Sequence, residues 1–146
     1  MISGTECNDL KILEEIGKKS LPIYYDFYNL LMMKNSFIQE TKIYNYTYKK
    51  KIVGFIVIQV DDIKKNTHIM SIAVDPEYRN KGIGKKLINY IERDDYYITL
   101  NVQCSNKNAI KFYKKIGFEI KETKNNYYKN LIDNDAYYML LSNNHI

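Results

Sequence analysis

Residues 67–93 constrain the fold more than any other part of the chain, because an apolar run, a glycine-containing turn and an amphipathic segment follow one another without a break. The run THIMSIAV at 67–74 has the length of a strand, and its nearly continuous apolar character indicates that both of its faces are covered. Beyond Gly82 the apolar side chains recur at helical spacing, at Ile83, Leu87, Ile88 and Ile91. The sequence therefore predicts a strand that leads through a tight turn into a helix.

Three further helices are predicted from segments with one apolar face. They lie at about 8–18, within 25–33 and at 105–116. Polar residues and glycines at the boundaries supply the candidate caps and ends, which are Asn8, Ser105 or Asn106, Gly17 and Gly117. Each of these helices would place its apolar face against the sheet.

Strands are predicted on both sides of the central run. Residues 43–62 have the pattern of two antiparallel strands joined by a turn around Lys49–Lys51. Three more segments have the character of strands, namely 96–104, 118–124 and 136–141. Together with the helices, they predict an α/β (α+β) domain around one mixed sheet.

The composition indicates a single folded domain spanning residues 1–146. The chain is about one domain long, 45% of its residues are hydrophobic and 27% are charged, and no repeat or linker divides it. The net charge of +5 and the isoelectric point near 9.0 are compatible with an anionic ligand, a nucleic-acid surface, or a general surplus of Lys, Asn, Ile and Tyr. The location of the charge has to decide between these interpretations.

Cysteine content and hydropathy indicate a protein of the cytoplasm, with the nucleus as the alternative. Cys7 and Cys104 are the two cysteines, which disfavours a disulfide framework. The longest apolar run, at 52–58, is far below the roughly 20 residues of a membrane helix. Residues 1–10 lack the basic and apolar pattern of a signal sequence. We therefore expect no membrane partner.

Two glycines at the start of the predicted helix are candidates for a phosphate site. Free N–H groups and the positive end of the helix dipole attract anions, and Gly82 and Gly84 would let a phosphate approach closely. Either glycine could instead serve only a tight turn. The Walker loop fails here, since it requires Gly and Ser or Thr at the positions of Arg79 and Lys86. The dinucleotide pattern also fails, since it requires glycine at Leu87.

Two motifs resemble the Gcn5-related N-acetyltransferase (GNAT) family. RNKGIG at 79–84 matches the family's Arg/Gln-x-x-Gly-x-Gly/Ala loop, and SNKNAIKFYKKIGFE at 105–119 is similar to its Asn-x-x-Ala-x-x-Phe-Tyr-x-x-x-Gly-Phe helix. The segments LPIYY, FEIKETKNNYYKN and DNDAYYML resemble the substrate loop and tyrosine hairpin of protein N-terminal acetyltransferases. Over about residues 8–141 the resemblance is closest to the Naa50 branch, the NatE catalytic subunit, and next to the bacterial RimI branch.

The resemblance implies a fold and a co-substrate. The GNAT fold is a single mixed, mostly antiparallel sheet flanked by helices, here with an abbreviated first strand, and acetyl-CoA would bind at the glycine turn without a metal. The residues implied to contact acetyl-CoA are Ile72, Ala73, Val74, Arg79, Asn80, Lys81, Gly82, Ile83, Gly84, Lys85, Asn106 and Tyr113. Lys86 is interpreted as part of the solvated helix face. Charge at this turn favours a polyanionic cofactor over nucleic acid.

The resemblance also implies the catalytic groups, and the sequence departs from the family pattern at one of them. Tyr113 matches the family tyrosine that donates a hydrogen bond to the CoA sulfur. Where Naa50-like enzymes handle the amine proton with a tyrosine and a histidine, this chain has His68 and Asn101. Asparagine can hold a water molecule but cannot take its proton. His68, whose imidazole titrates near neutral pH, is therefore the better candidate base.

A weak base favours an α-amine as the acceptor. A protein α-amine has a pKa of about 7.7–8.0 and is partly neutral at pH 7, whereas a lysine costs about 3 kcal/mol more to deprotonate. The implied peptide contacts are Leu21, Pro22, Ile23, Tyr25, Met70, Tyr127 and Tyr128. We predict an acetyl-CoA-dependent N-acetyltransferase of protein N-termini that start with methionine, acting by direct attack in a ternary complex.

Other activities stay open at this point. One alternative is the acetylation of lysine or of a small amine. Another is a weakly active acyl-CoA-binding subunit of a ribosome-associated acetyltransferase complex, for which Asn101 is the main argument. The expected partners are a protein N-terminus or peptide and a ribosome-associated complex of the NatA type, with no direct contact to nucleic acid.

Overall fold

The computed structural model describes residues 1–35, 40–128 and 133–142, in which seven strands form one sheet. The strands are β1 (Ile2–Gly4), β2 (Glu40–Tyr48), β3 (Lys51–Asp61), β4 (Asn66–Val74), β5 (Tyr97–Gln103), β6 (Glu119–Lys124) and β7 (Ala136–Leu141). The helices are α1 (Leu10–Ser20), α2 (Phe27–Lys34), α3 (Ile83–Ile91) and α4 (Lys107–Ile116), with short 3₁₀ turns at Cys7–Asp9 and Pro76–Tyr78. Residues 129–132, which belong to the predicted tyrosine hairpin, lie outside the described residues.

The strand order confirms the predicted mixed, mostly antiparallel sheet. The order is β1-β2-β3-β4-β5-β7-β6, and among the pairings of the described residues only that of β4 with β5 is parallel. This pairing runs from Asn66 opposite Tyr97 to Ile69 opposite Leu100, although both strands continue beyond it. The carboxyl ends of β4 and β5 are therefore unpaired with each other and leave an opening in the sheet.

A β-bulge at Met70 changes the direction of side chains at the end of β4. Val57 of β3 lies opposite Ser71, whereas the next residue, Ile58, lies opposite Ile69. Met70 is thus an extra residue in β4. Because side chains alternate between the faces of a strand, the residues beyond the bulge exchange faces relative to a regular strand.

Two apolar clusters cover the two faces of the sheet. One packs α3 and α4 against it and includes Leu87 and, from β4, Ile69. The other packs α1 and α2 on the opposite face and includes Leu13 and, from β4, Ala73. Full burial of a large aliphatic side chain such as leucine contributes about 1.5–3 kcal/mol, so these clusters hold both layers on the sheet. The prediction that β4 is covered on both faces is confirmed.

The boundaries of α1 differ from the prediction. Asn8 lies in the 3₁₀ turn and does not cap the helix, which starts after Asp9. Gly17 does not end the helix, which continues to Ser20. A Cβ on Gly17 would lie 3.1 Å from Cβ of Tyr24, so this glycine lets the loop after α1 pass close to the helix. The glycine therefore serves packing and not termination.

The helices of the described ranges are short. The longest of them, α1, has 11 residues. A helix has to be nearly twice as long to cross the hydrocarbon core of a bilayer, at roughly 20 residues. Within these ranges no helix is both long and apolar enough to do so.

Candidate active site

A cavity opens where β4 and β5 separate. Its volume is about 1110 Å³, and it extends from the turn before α3, past the end of β4, to the loop between α1 and α2. Every site residue predicted from the sequence lines this cavity except Lys81. The contacts of all these residues with a cofactor or a peptide stay predictions. The predicted cofactor residues and the predicted peptide residues therefore border one continuous space.

The turn before α3 presents backbone amides to the cavity. Asn80 and Gly82 both have positive φ values, +62° and +77°, which rotate their peptide groups relative to their neighbours. The helix then starts at Ile83, so its first N–H groups have no partner within the helix. Amides arranged in this way, at the positive end of a helix dipole, bind anions. This geometry, together with the cavity-lining cations Arg79 and Lys85, fits a pyrophosphate.

The two glycines of the turn have different roles. Gly82 needs its conformational freedom for the positive φ, and a Cβ there would meet no atom within 4 Å. Gly84 lies inside α3, and a Cβ there would lie 3.0 Å from the ring of Phe112 on α4. Gly84 therefore allows the close approach of α3 to α4, whereas Gly82 shapes the anion-binding turn.

The start of α4 also borders the cavity. Asn106 caps the helix by accepting a hydrogen bond from the N–H of Ala109 at 3.2 Å, as predicted. The same residue lines the cavity, so capping is compatible with a contact to the cofactor. The predicted end at Gly117 is confirmed, with φ +122°. With its start capped by Asn106 and its end at Gly117, α4 places Tyr113 beside the cavity.

Tyr113 brings a phenol to the cavity from α4. Its ring is buried between Phe112 and Phe118, whose ring centres are 5.3 Å and 5.6 Å away. Burial raises the pKa of Tyr113 above its ordinary value, and the neighbouring Tyr128 adds to this effect. The phenol therefore stays protonated at neutral pH and can donate a hydrogen bond.

His68 enters the cavity from β4. Its Nδ1 lies 2.8 Å from Oγ1 of Thr99, its partner across the parallel pairing, which leaves Nε2 as the ring nitrogen available to the cavity. Burial lowers the pKa of His68 below its ordinary value, and the positive charge of Lys124 lowers it further. The imidazole is therefore neutral at neutral pH, which is the form that a general base requires.

Asn101 lies on β5 with one amide atom paired and the other free. Its Nδ2 donates to the hydroxyl of Tyr127 at 3.2 Å, and its backbone carbonyl accepts from the hydroxyl of Tyr128 at 3.5 Å. Its Oδ1 is buried and has no hydrogen-bond partner in the described part of the chain. A buried acceptor without a partner is costly, so a ligand or water with a donor would bind favourably there.

Residues 21–25 form the opposite wall and carry the predicted peptide contacts Leu21, Pro22, Ile23 and Tyr25. Both ends of this loop are fixed. Before it, the hydroxyl of Ser20 donates to the carbonyl of Val74 at 3.2 Å, and after it, the N–H of Phe27 donates to the carboxylate of Glu14 at 3.0 Å. The apolar wall is therefore held against the end of β4.

Three tyrosines close this side of the cavity. The rings of Tyr127 and Tyr128 contact edge to face, with centres 4.9 Å apart. Burial raises the pKa of Tyr128 to about 12 and also raises the pKa of Tyr25, with Tyr127 as a further cause in both. Tyr25 and Tyr128 are therefore neutral hydroxyl groups at neutral pH. No acidic side chain of the described residues lines the cavity.

Ser71 and Thr99 are polar residues near the cavity that the sequence did not reveal as site residues. Ser71 lines the cavity beside the bulge, and Thr99 contacts His68. Because side chains alternate along β5, Thr99 lies on the same face as the predicted site residue Asn101, and this alternation could have indicated that Thr99 lies near the site. The contact with His68 depends on the parallel pairing of β4 with β5, and no local pattern reveals that register.

A protein-family comparison decides the assignment of the chain. The profile of the Acetyltransferase (GNAT) family matches residues 11–118. The chain belongs to this family. The matched range contains both motifs, the turn at 79–84 and all of α4, so the resemblance inferred from them is confirmed.

Curated relatives of this GNAT chain include N-terminal acetyltransferases. N-alpha-acetyltransferase 50 of Danio rerio is 43% identical over a 93-residue alignment, and the match covers 58% of this chain and 55% of that protein. The probable N-acetyltransferase san of Drosophila melanogaster is 30% identical over 139 residues, 89% of this chain and 73% of that protein. The match thus spans little more than half the length of the first relative and nearly three quarters of the second.

Solved structures confirm the GNAT fold. Naa50 of Arabidopsis thaliana in complex with the bisubstrate analogue CoA-Ac-MVNAL has a TM-score of 0.80 and 30% identity, with 97% of each chain covered. The ribosomal-protein-S18-alanine N-acetyltransferase of Escherichia coli has a TM-score of 0.82 and 26% identity, with 97% of this chain and 92% of that chain covered. An acetyltransferase of Bacillus anthracis in complex with acetyl coenzyme A has a TM-score of 0.75 and 28% identity, with 97% of each chain covered.

Proposed function

We propose that the chain transfers the acetyl group of acetyl-CoA to the α-amine of proteins whose first residue is methionine. The observation that carries this proposal is the single cavity, which joins an anion-binding turn to an apolar loop across the separated ends of β4 and β5. A cofactor held by the turn and a peptide held by the loop would meet at this opening. Both can then be bound at once, which supports direct attack in a ternary complex.

The cofactor side fits acetyl-CoA in its chemistry. The amides of the turn before α3 would hold the pyrophosphate, and Arg79 and Lys85 would add positive charge. When bound, acetyl-CoA supplies a thioester whose carbonyl carbon accepts the amine and whose sulfur leaves as a thiolate. Similar solved structures contain acetyl coenzyme A or a CoA-containing analogue, which supports this choice of donor.

The catalytic residues of the chain have separate tasks. Nε2 of His68 takes the proton that the α-amine loses. The free Oδ1 of Asn101 accepts a hydrogen bond from the amine, or from a water between the amine and the imidazole. The hydroxyl of Tyr113 donates to the sulfur and stabilises the thiolate as it leaves.

The peptide side favours an uncharged first residue over a cationic one. Leu21, Ile23 and Met70 line the cavity together, and no acidic side chain of the described residues does so. An acceptor with several positive charges, such as a polyamine, would find no counter-charge among these side chains. The analogue in the similar Arabidopsis complex carries the peptide MVNAL, which begins with methionine and supports the same choice.

A non-catalytic role is the second candidate. An asparagine at position 101 cannot act as a base, which favours a weakly active acyl-CoA-binding subunit if His68 does not take the proton. The acetylation of lysine or of a small amine is the third. A cytoplasmic location and docking on a ribosome-associated complex of the NatA type stay predictions from the sequence.

The proposal is tested by a CoA-release assay with three acceptors. These are a peptide with a free Met-Leu N-terminus, its N-terminally blocked and lysine-bearing analogue, and spermidine. Turnover confined to the free N-terminus, and reduced by His68→Ala and by Tyr113→Phe, is the expected result. Turnover with the blocked peptide or with spermidine would replace the proposed acceptor. Measurable CoA binding without turnover of any acceptor would favour the role of an acyl-CoA-binding subunit.

A further inference from the structure

The imidazole of His68 contacts a polar pair that the mechanism above does not use. Its Nδ1 lies 2.8 Å from Oγ1 of Thr99, and this hydroxyl oxygen lies 3.2 Å from Nδ2 and 3.4 Å from Oδ1 of Asn66. All three residues belong to the parallel pairing of β4 with β5, in which His68 is directly opposite Thr99. Thr99 is only 1% exposed, so solvent does not compete for its hydroxyl.

Protonation of His68 fixes the direction of these hydrogen bonds. The neutral ring carries one proton, and Thr99 can either donate to Nδ1 or accept from it. The imidazolium carries a proton on each nitrogen, so Nδ1 has to donate, and Oγ1 of Thr99 is the acceptor at hydrogen-bond distance. The hydroxyl hydrogen of Thr99 then needs its own acceptor, and Oδ1 of Asn66 lies within reach.

We infer that Thr99 and Asn66 are positioning residues that hold the His68 ring with Nε2 toward the cavity and stabilise its protonated form during acetyl transfer. This inference rests on the proposed function, in which Nε2 takes the proton of the α-amine. One N–H bond of the amine breaks and one bond forms between that proton and Nε2. The hydrogens on Nδ1 and on the Thr99 hydroxyl stay covalently bound where they are, and His68 later releases its proton to solvent.

The other groups around His68 do not supply this stabilisation. Burial and the positive charge of Lys124 on β6 both act against the imidazolium and lower the pKa of His68. Tyr25, Tyr113 and Tyr128 line the same cavity, but burial raises the pKa of each, so they are neutral near pH 7 and provide no negative charge. An acceptor at Nδ1 is therefore the interaction that keeps His68 basic enough to take a proton.

The direct test is a ¹⁵N NMR titration of the imidazole in protein that carries His145→Gln, which leaves His68 as its single histidine. Thr99→Val keeps the shape of the side chain and removes the acceptor, so we expect the pKa of His68 to fall by about one unit or more. Thr99→Ser retains the hydroxyl and should keep the pKa. The matched control is Thr67→Val, since Thr67 is buried in β4 and its Oγ1 has no partner among the described residues.

The same variants are then compared in steady-state kinetics with the Met-Leu peptide. Loss of a hydrogen bond to a charged group predicts a kcat lower by about 10- to 100-fold for Thr99→Val, with the KM for acetyl-CoA unchanged. Thr99→Ser should stay within about threefold of the parent. Asn66→Asp supplies a stronger acceptor to the Thr99 hydroxyl, so the acid limb of kcat/KM should move to higher pH.

Each result supports or overturns the inference. A pKa of His68 that is the same in Thr99→Val and the parent overturns it, and so does a Thr99→Ser variant as impaired as Thr99→Val. Thermal unfolding and CoA binding of every variant show whether Thr99→Val has simply lost its fold. If it has, the inference is decided by whether Thr99→Ser keeps the pKa of His68 and the activity of the parent. If the parent acetylates no acceptor, the proposed function fails, while the titration still shows whether Thr99 sets the basicity of His68.

Discussion

The two walls of the cavity are built in different ways. The cofactor wall, on the predicted cofactor side, contains one continuous stretch of chain, the end of β4 and the turn at 79–84. The peptide wall is made of side chains from separate segments, with Tyr25 before α2, His68 on β4, Asn101 on β5 and Tyr128 after β6. Changes at the cofactor wall should therefore alter affinity for acetyl-CoA. Changes at the peptide wall should alter rate and choice of acceptor.

The largest effect is expected from His68→Gln, which removes the proposed base from the peptide wall. Glutamine keeps a polar side chain but cannot take the amine proton, so kcat/KM for the Met-Leu peptide should fall by about 100-fold or more near neutral pH. The deficit should shrink as pH rises, because the α-amine, with a pKa of about 7.7–8.0, loses its proton without help. CoA release measured across the pH range checks this, and a deficit that does not change with pH would contradict it.

The same substitution should also change how stability depends on pH. Because the pKa of His68 is lowered in the fold, the unfolded chain binds more protons as pH falls below about 6.5, and the folded protein loses stability there. His68→Gln removes this contribution, so urea unfolding should show a smaller loss of stability between about pH 7.5 and 5.5 than in the parent. Equal losses in both proteins would mean that His68 is not held in its neutral form.

The difference between the walls also explains how far the sequence could be interpreted. The glycine turn, the cap at Asn106 and the position of Tyr113 follow from one contiguous motif each, because a turn and a helix are determined by neighbouring residues. The partner of His68 could not be predicted in this way, since Thr99 reaches it only through the register of β4 with β5. Gly17 was misinterpreted for a similar reason, because its packing against Tyr24 is a tertiary contact.

Tyr113→Phe is expected to have the second largest effect, because it removes the hydroxyl that is proposed to donate to the thiolate. The ring keeps its packing against Phe112 and Phe118, so stability should change little while kcat falls by about 10- to 100-fold. The KM for acetyl-CoA should be unchanged. Tyr90→Phe on the exposed side of α3, where 52% of the residue is accessible, is the matched control. Equal activity of the two variants would remove Tyr113 from the mechanism.

A methyl group on the anion-binding turn should weaken the binding of acetyl-CoA and leave the binding of the peptide unchanged. Gly82 has φ +77°, where a residue with a Cβ is strained by roughly 1–2 kcal/mol, so Gly82→Ala should raise the Kd for acetyl-CoA by about 10-fold. The KM for the peptide should not change. In Gly84→Ala, by contrast, the Cβ would crowd Phe112, so its main effect should be a lower melting temperature. Isothermal titration with acetyl-CoA and thermal unfolding separate the two, and an altered peptide KM would contradict the division between the walls.

An apolar residue of the peptide wall should affect the acceptor and not the cofactor. Ile23 is 45% exposed in the free protein, so Ile23→Ser should leave stability nearly unchanged. Loss of its contact with a methionine side chain should raise the KM for the Met-Leu peptide by about 5-fold. Ile63→Ser, at a site that is 97% exposed, is the control. Competition between Met-Leu and Ser-Leu peptides measures the change. An unaltered preference for Met-Leu would mean that the first residue of the peptide does not contact Ile23.

The smallest effect should distinguish two adjacent lysines of α3. Lys85 lines the cavity, whereas Lys86 lies with its ammonium 5.8 Å from the ring centre of Tyr46. An exposed charge contributes at most about 1 kcal/mol to a contact, so Lys85→Gln should weaken acetyl-CoA binding by about 3- to 5-fold at low salt, and Lys86→Gln should not change it. At about 0.5 M salt the difference should disappear, since ions screen exposed charges. Equal weakening by both substitutions would mean that the cofactor senses the net charge of α3 and not a contact with one side chain.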